Sequence, residues 1–539
     1  MSKPPYNVVF IILDQRVDRL LEAAGYSLPA MDALASRGVT FRQHYISSAM
    51  CTASRASFLT GQTPHVTGVL DQMQYSFTRS LSPQMPNMGS VMKELGYKTA
   101  YFGKFEMDKN LLEAEPTVNY TGAIQAYGFD EFSAGGDIGS APYSGFNNDP
   151  FIAGETVRGL HSMAGEARRT GKPFFMVASL VNPHDIMYGN ANVAGQPQVQ
   201  KPVAPQAAPP PPQDSIYAKK WDFTLPPSLT ESLDGPGMPG AISEYKKGWD
   251  AWSGAIPTDR ADMWTNFYNY YLNSIADVDR SLEQIVHVMN EMDLWRDTVL
   301  VFTADHGEMA GAHGGIKGKG PFVYEENIHV PLIVAHPDGK RGATCSALTS
   351  HLDLLPTFVG MTGLPDAQRQ DAVKALPGHD FSRLLADPQR ASAIALRPGI
   401  MFSYVGAGTV DGDFLGKTME SLFMHKPTPP LSDANLNKRG FLSVAFDGRY
   451  KFGRFYAPKA CNTPQTLEEL LANNDVQLFD LESDPGEMHN LALEPEKNKE
   501  TILRMNALLN ELIAKEAGGN ACALLERALD LCLAAPVSP

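Results

Sequence analysis

Residues 7–15 read NVVFIILDQ. From Val8 to Leu13 the run is apolar without a break and rich in β-branched side chains, the pattern of a strand covered on both faces. It stops abruptly at Asp14 and Gln15, which puts polar groups at the carboxyl end of a buried strand, where α/β sheets site their chemistry. Such a strand needs helices on both sides of its sheet, so the rest of the chain should alternate helices with equally apolar runs.

It does. LPAMDALASRGVTF (28–41) predicts a helix with Leu28, Met31, Leu34 and Ala35 on one face, closed by Gly38 and followed by a short strand. SVMKELGYKTAYFGK (90–104) repeats the order of helix, glycine stop and strand. PFFMVASLVNPHD (173–185) is a second buried strand ending in polar residues. An amphipathic helical stretch over 271–292 precedes DTVLVFTADHGE (297–308), a third strand of the same kind. The fold class is α/β, with a large, mostly parallel sheet sandwiched by helices.

The alternation breaks at 188–257, where QKPVAPQAAPPPPQD (200–214) is too rich in proline for helix or central strand, and this segment is expected as an inserted loop over the sheet edge or the site. Beyond about residue 390, FLSVAFDGRYKFGRF (441–455) alternates more openly and suggests a smaller, antiparallel α+β subdomain. The expected organisation is a catalytic domain over 1–390 carrying the insert, a C-terminal subdomain over 391–519, and an apolar tail over 520–539 able to pack on the body or on another subunit, hence a homo-oligomer.

Composition narrows the function. The 539 residues are 43% apolar, acidic residues outnumber basic ones 60 to 45, and the net charge of −15 comes with no lysine- or arginine-rich run, which speaks against a nucleic-acid partner. The run at Val8–Leu13 is too short to cross a bilayer and the N-terminal residues lack the charged-then-apolar order of a signal peptide, so the expectation is a soluble cytoplasmic protein without a membrane partner. Five cysteines, at 51, 345, 461, 522 and 532, are scattered and odd in number, and suggest neither a disulfide framework nor a thiolate metal site.

Asp14, Cys51, Lys104, His184, Asp305 and His306 all fall at or just after strand-like runs, and in a parallel sheet such ends converge on one rim. One histidine or aspartate at a strand end is ordinarily a turn or cap residue; six in the same position are hard to explain that way. Asp14, Asp305 and His306 offer carboxylate oxygens and an imidazole nitrogen, a hard set suited to a divalent cation. Arg55, Lys104 and Lys319 add fixed positive charge, as binding a tetrahedral oxyanion requires. For Cys51 itself, three readings stay open on the residues alone: nucleophile, ligand or buried thiol.

CTASR at 51–55 matches the signature cysteine–x–(proline or alanine)–x–arginine, and SSAMCTASRASFLTGQTPHVTGV (47–69) resembles the signature segment of the sulfatases. NVVFIILDQ, PAMDALASRGVTFRQHY, KELGYKTAYFGK, VFTADHGEMAGAHG, KGPFVYEENIHVPLIV, HLDLLPTFVGMTG and LFDLESDPGEMHNLA resemble further family segments, in family order. The resemblance covers nearly the whole chain apart from the proline-rich insert and the last twenty residues. It implies an alkaline phosphatase-like fold and oxidation of Cys51 by a formylglycine-generating maturation enzyme. The resulting Cα-formylglycine, once hydrated, would be the nucleophile toward sulfur.

By the same resemblance Asp14, modified Cys51, Asp305 and His306 are metal ligands, with calcium the first choice ahead of magnesium or manganese. Arg55 orients the diol, Lys104 and Lys319 bind sulfate, and His184 stabilises or protonates the leaving oxygen. Two departures stand out. Gln15 replaces the second of two successive acidic residues, a form also seen in phosphonate monoester and phosphodiester hydrolases of the superfamily. Glu106 occupies the place of the histidine in GK-x-His and is expected to share the cavity with Lys104, either paired with that lysine or the metal shell, or facing a cationic or hydroxyl-bearing leaving group of the substrate. The function implied is hydrolysis of small organic sulfate monoesters, aryl or alkyl, with a phosphonate monoester or phosphodiester hydrolase as the alternative. A catalytically silent binding protein fits less well, because every ligand position holds a capable side chain. A thiolate phosphatase also fits less well, because the cysteine-to-arginine spacing is too short for a phosphatase loop.

Overall fold

The structure is a computed structural model that describes residues 5–112, 120–133 and 136–535. Among them the strands are β1 (Asn7–Asp14), β2 (Val39–Tyr45), β3 (Lys98–Gly103), β4 (Glu131–Phe132), β5 (Phe174–Pro183), β6 (Thr298–Ala304), β7 (Leu332–Ala335) and β8 (Ala343–Ser350). They form one sheet in the order β4-β3-β5-β1-β6-β7-β2-β8. Only β7 runs antiparallel to its neighbours β6 and β2; the pairs β1/β5, β1/β6, β3/β5, β3/β4 and β2/β8 are all parallel.

β1 lies between β5 and β6 and is buried throughout. Alternate side chains enter opposite cores: Val9, Ile11 and Leu13 join one hydrophobic cluster, Val8, Phe10 and Ile12 the other. Period-two alternation between two dry faces is why the run is apolar at every position rather than at every second one. The helices Pro29–Arg37, Ser144–Thr170 and Ala261–Glu291 share one face; the last begins ten residues before the predicted 271, so its apolar face is longer than expected.

The C-terminal subdomain is an antiparallel sheet in the order β12-β11-β10-β9, built from β9 (Ile400–Tyr404), β10 (Phe441–Phe446), β11 (Tyr450–Tyr456) and β12 (Asp475–Asp480). One face packs on the main body and the other is covered by the helix Lys499–Glu516 through Ile502, Met505, Leu509 and Leu512.

Two expectations are corrected. The insert is not loop throughout: GAISEYKKGWDAWS forms the helix Gly240–Ser253, burying Ala241, Ile242, Tyr245, Trp249 and Trp252. Those residues keep helical spacing, but the prolines ahead of them dominate the local composition. The cysteines are not all free: Cys461 and Cys522 are disulfide-bonded across 61 residues. Their spacing holds no trace of this, because it is the return of the last helix onto the loop after β11 that makes them neighbours.

That last helix, Ala521–Leu533, lays Leu525, Ala528, Leu529 and Cys532 against the chain's own core, so its apolar face needs no second subunit; residues 536–539 of the expected tail lie outside the described residues. Each fully buried leucine contributes roughly 1.5–3 kcal/mol. Truncation after Gly519 is therefore expected to lower the melting temperature by several degrees while leaving kcat on a sulfate ester within about twofold; thermal unfolding beside a rate assay checks both.

Candidate active site

The parallel strands deliver their carboxyl ends to one rim. Asp14 ends β1, Lys104 follows β3, His184 follows β5, and Asp305 and His306 follow β6. Cys51 is not at a strand end but opens the helix Cys51–Thr60, six residues after β2. Met50, directly before it, has φ 70°, a conformation costly for a side-chain-bearing residue. Gln15 and Glu106 share this left-handed conformation at φ 69° and 53°, so three strained residues border the rim.

The residues singled out in the sequence meet here, and Asp14, Cys51, Arg55, Lys104, Glu106, His184, Asp305, His306 and Lys319 are fully buried. Cys51 Sγ lies 3.2 Å from His306 Nε2 and 3.7 Å from Asp14 Oδ1. His306 Nε2 is 3.5 Å from Asp14 Oδ1 and 3.6 Å from Asp305 Oδ1. Its Nδ1 sits 3.0 Å from the Gly307 carbonyl, an acceptor only, which places the ring proton on Nδ1 and turns the Nε2 lone pair into the cluster.

The arrangement fits a divalent cation. One potential ligand atom from each of Asp14, Cys51, Asp305 and His306 falls within 4.8 Å of the others, close to the span of two oxygens on opposite sides of an ion at ~2.3–2.6 Å. Asp305 Oδ2 is buried with the Arg55 guanidinium as its ion-pair partner but no hydrogen bond of its own. Burial and the facing Asp14 charge push Asp305 up to about 7, while Asp14, against the cost of its burial, is held well below the usual carboxylate range by Lys104, His184 and Arg55. Two buried carboxylates competing in this way are relieved by a shared cation.

Fixed cations complete the rim. Arg55 Nη2 is 3.0 Å from both Asp14 Oδ2 and Asp305 Oδ2, and its Nη1 donates to the Lys104 carbonyl at 2.7 Å and Ser179 Oγ at 2.8 Å. Lys104 Nζ reaches Asp14 Oδ2 at 2.7 Å, Glu106 Oε2 at 3.0 Å and Ser140 Oγ at 3.0 Å. Glu106 shares the site with Lys104 as expected, and its carboxylate faces Lys104, Gln74 and Ser140, of which Gln74 and Ser140 stand on the cavity wall. His184 Nε2 lies 3.3 Å from Ser140 Oγ; burial and Lys104 lower its pKa well below the usual imidazole value, which makes it neutral in the free site. Burial, reinforced by Asp14, pushes the Cys51 thiol up to about 12.

Gln15 has a definite task. Lys319 Nζ donates to Gln15 Oε1 at 2.8 Å, and Gln15 Nε2 donates to Glu308 Oε2. Glu308 is anchored in turn by the Ala310 and Gly318 amides, each at 2.8 Å. The amide thus holds Lys319 at the rim. Gln15→Ala is expected to raise KM for an anionic ester about tenfold with a smaller change in kcat, since a charge-assisted hydrogen bond is worth ~1.5–3 kcal/mol; initial rates over a range of substrate concentration test it. Nothing in the sequence marks Ser140, Gln72, Gln74 or Ser179 for the site, because they reach it from loops and a strand face distant in the chain. Glu308, three residues after Asp305 in DHGE, lies within reach of a sequence reading.

Next to this rim opens a cavity of about 330 Å³, walled by Met50, Gln72, Gln74, Ser140 and Lys319 from the site, by Tyr245, Trp249 and Trp252 from the insert, and by Leu415, Met419 and Phe423 from the C-terminal subdomain. Among the described residues no helix is long and apolar enough to cross a membrane.

Known proteins share this organisation. The chain is 26% identical over 408 residues to the ulvan-active sulfatase of Formosa agariphila, covering 72% of this chain and 66% of that one. It is 25% identical over 390 residues to the choline-sulfatase of Rhizobium meliloti, covering 66% and 68%. The matches thus span about two thirds of the relatives' lengths. A 2-O GAG sulfatase superposes with a TM-score of 0.63 at 21% identity over 97% of this chain and 94% of that one. The phosphonate monoester hydrolase of Silicibacter pomeroyi superposes with a TM-score of 0.62 at 20% identity over 95% and 96%. The sulfatase family model matches residues 6–364, and the chain belongs to the sulfatase family.

Proposed function

We propose that the protein hydrolyses sulfate monoesters of small organic molecules, aryl or alkyl, with Cys51 working as Cα-formylglycine after the action of a maturation enzyme. The observation that carries this is the position of Cys51: fully buried, 3.2 Å from His306, facing two carboxylates, at the start of a helix whose Arg55 pairs with both of them. Asp14, Asp305, His306 and the modified Cys51 would hold a divalent cation, calcium before magnesium or manganese, which acidifies the hydrated formyl group and offsets anionic charge.

The chain's own residues supply the rest. Arg55 ties Asp14 to Asp305 and fixes both relative to the helix that carries Cys51. Lys104 and Lys319 are held with their ammonium groups at the rim by Asp14 and Gln15 and meet the sulfate oxygens. His184 is held beside Ser140 because Asp185, next in the chain, accepts from the Gly145 and Phe146 amides at 3.0 and 2.9 Å. Its ring N–H donates to the bridging oxygen as that oxygen gains charge on bond cleavage. Burial of the whole constellation excludes bulk water and strengthens each of these interactions.

Gln15 in the place of an acid favours one second reading, a phosphonate monoester or phosphodiester hydrolase using the same nucleophile. Measuring kcat/KM in parallel on 4-nitrophenyl sulfate and 4-nitrophenyl phenylphosphonate decides. A larger value for the sulfate supports the first reading, and a larger value for the phosphonate replaces it with the second. We propose a cytoplasmic location, against which the Cys461–Cys522 pairing weighs, since cytosolic thiols are kept reduced. Thiol titration of protein from the producing cell separates the two.

A further inference from the structure

The cavity beside Cys51 has a composition of its own. Trp252 stacks on Phe423 at 5.4 Å and 21°, Tyr245 stacks on Trp249 at 5.3 Å and 23°, and the two tryptophans meet at 5.1 Å and 59°. Tyr188 closes the corner, 6.2 Å from both Trp252 and Phe423. No aspartate, glutamate or arginine lines it among the described residues; the basic groups on its wall are Lys319, which belongs to the rim, and His425. The space is continuous with the reacting centre, because Met50, Gln72 and Lys319 border both.

We infer that this cavity is the leaving-group subsite and that it selects a flat, uncharged aromatic alcohol, so that the physiological substrate is an aryl sulfate rather than a sulfated glycan or a cationic sulfate ester. The inference rests on the sulfatase reading for the sulfate end and on the cavity for the other end. A sugar ring brings hydroxyl groups that must be hydrogen-bonded when buried, and several polar side chains on this wall are already engaged: Tyr245 donates to the Lys319 carbonyl, Gln74 to Glu106, Gln206 to the Phe423 carbonyl and Thr409 to the Gly406 carbonyl, while the indole N–H groups of Trp249 and Trp252 are donors without a partner. A quaternary ammonium gains from aromatic faces, but a desolvated cation beside Lys319 with no carboxylate on the wall is opposed by charge. A planar ring instead buries apolar area and stacks edge or face against the aromatic side chains. The volume suits one or two fused rings and no polymer. The specificity-determining residues are Tyr245, Trp249 and Trp252 from the insert and Phe423 from the C-terminal subdomain.

The test compares 2-naphthyl sulfate with phenyl sulfate, whose phenols are of similar acidity, so that their difference reads binding of the ring rather than leaving-group chemistry. Choline sulfate and glucosamine 6-sulfate are run beside them. The expected result is a kcat/KM for the naphthyl ester at least ~10-fold above the phenyl ester and above both polar esters. In Phe423→Ala and in Met187→Ala, a second half-buried residue of the cavity wall, the naphthyl-over-phenyl ratio should fall about fivefold or more. Trp252→Ala should remove it, with circular dichroism confirming the fold. A separate arm measures quenching of tryptophan fluorescence by 2-naphthol and needs no turnover. If 2-naphthol binds while no sulfate ester is hydrolysed, the sulfatase reading fails and the subsite stands. If sulfate esters are hydrolysed but choline sulfate or glucosamine 6-sulfate is the best of the four, or the ratio is unchanged in the variants, the subsite assignment is overturned.

Discussion

Cys51→Ala is expected to bring sulfate ester hydrolysis down to background, a loss of ~10⁴-fold or more in kcat, since the nucleophile itself is deleted. The change removes a single buried sulfur from the start of the helix Cys51–Thr60 and leaves Arg55, Lys104 and His184 with their hydrogen-bond and ion-pair partners, so the fold and affinity for inorganic sulfate should persist. Cys51→Ser keeps an oxygen at the same place but cannot be oxidised from a thiol, and only a trace of activity is expected. Peptide mass spectrometry of the wild-type chain should find the segment around Cys51 lighter than the encoded sequence. Because the hydrated aldehyde has nearly the mass of cysteine, the deciding observation is the thiol: alkylation of residue 51 by iodoacetamide in fully active protein would refute the formylglycine reading, and turnover by Cys51→Ala would refute the site altogether.

The second large effect concerns Asp305. Its carboxylate accepts from the Gln15 and His306 amides at 3.0 and 2.8 Å through Oδ1, and its Oδ2 lies 3.0 Å from Arg55. Asp305→Asn preserves shape but takes away one of the two negative charges that face each other across the cluster. Metal affinity should fall at least tenfold and kcat by ~10²-fold or more. Chelation of the wild type should produce a comparable loss, reversed by adding back calcium, magnesium or manganese; the metal that restores the rate at the lowest concentration identifies the ion. Stability gives an independent reading. Bound metal should raise the melting temperature of the wild type in a concentration-dependent way and do so far less for Asp305→Asn. Equal rates before and after chelation would eliminate a metal from this site.

Much of the architecture was legible because burial on both faces of a sheet leaves a local mark. Val8–Leu13, Phe174–Val181 and Val299–Ala304 are apolar at nearly every position, and each is followed within a few residues by Asp14, His184 or Asp305. The helix Gly240–Ser253 was hidden by the prolines before it, although its own apolar residues keep helical spacing. Cys461–Cys522 was hidden because a covalent bond across 61 residues depends on where two loops end up, about which neither cysteine's neighbours say anything.

The chemistry of the rim is written in the chain: which acids, bases and cations stand at the ends of parallel strands, and that Cys51 sits in a sulfatase-like signature. These are properties of short segments, set by hydrophobic periodicity and by a local motif. What those groups face is a matter of three-dimensional packing. Glu106 was free, on sequence grounds, to meet a substrate; the fold turns it to Lys104, Gln74 and Ser140. Gln15 stands on sequence grounds only as an amide in the place of an acid; the fold brings Lys319 to one end of it and Glu308 to the other. The aromatic wall exists only because the insert helix packs on the helix Gly412–Phe423, bringing Trp252 to Phe423 from a distant part of the chain. Contacts between segments so far apart depend on the global minimum of packing and hydrogen bonding, and no short-range pattern in the chain encodes them.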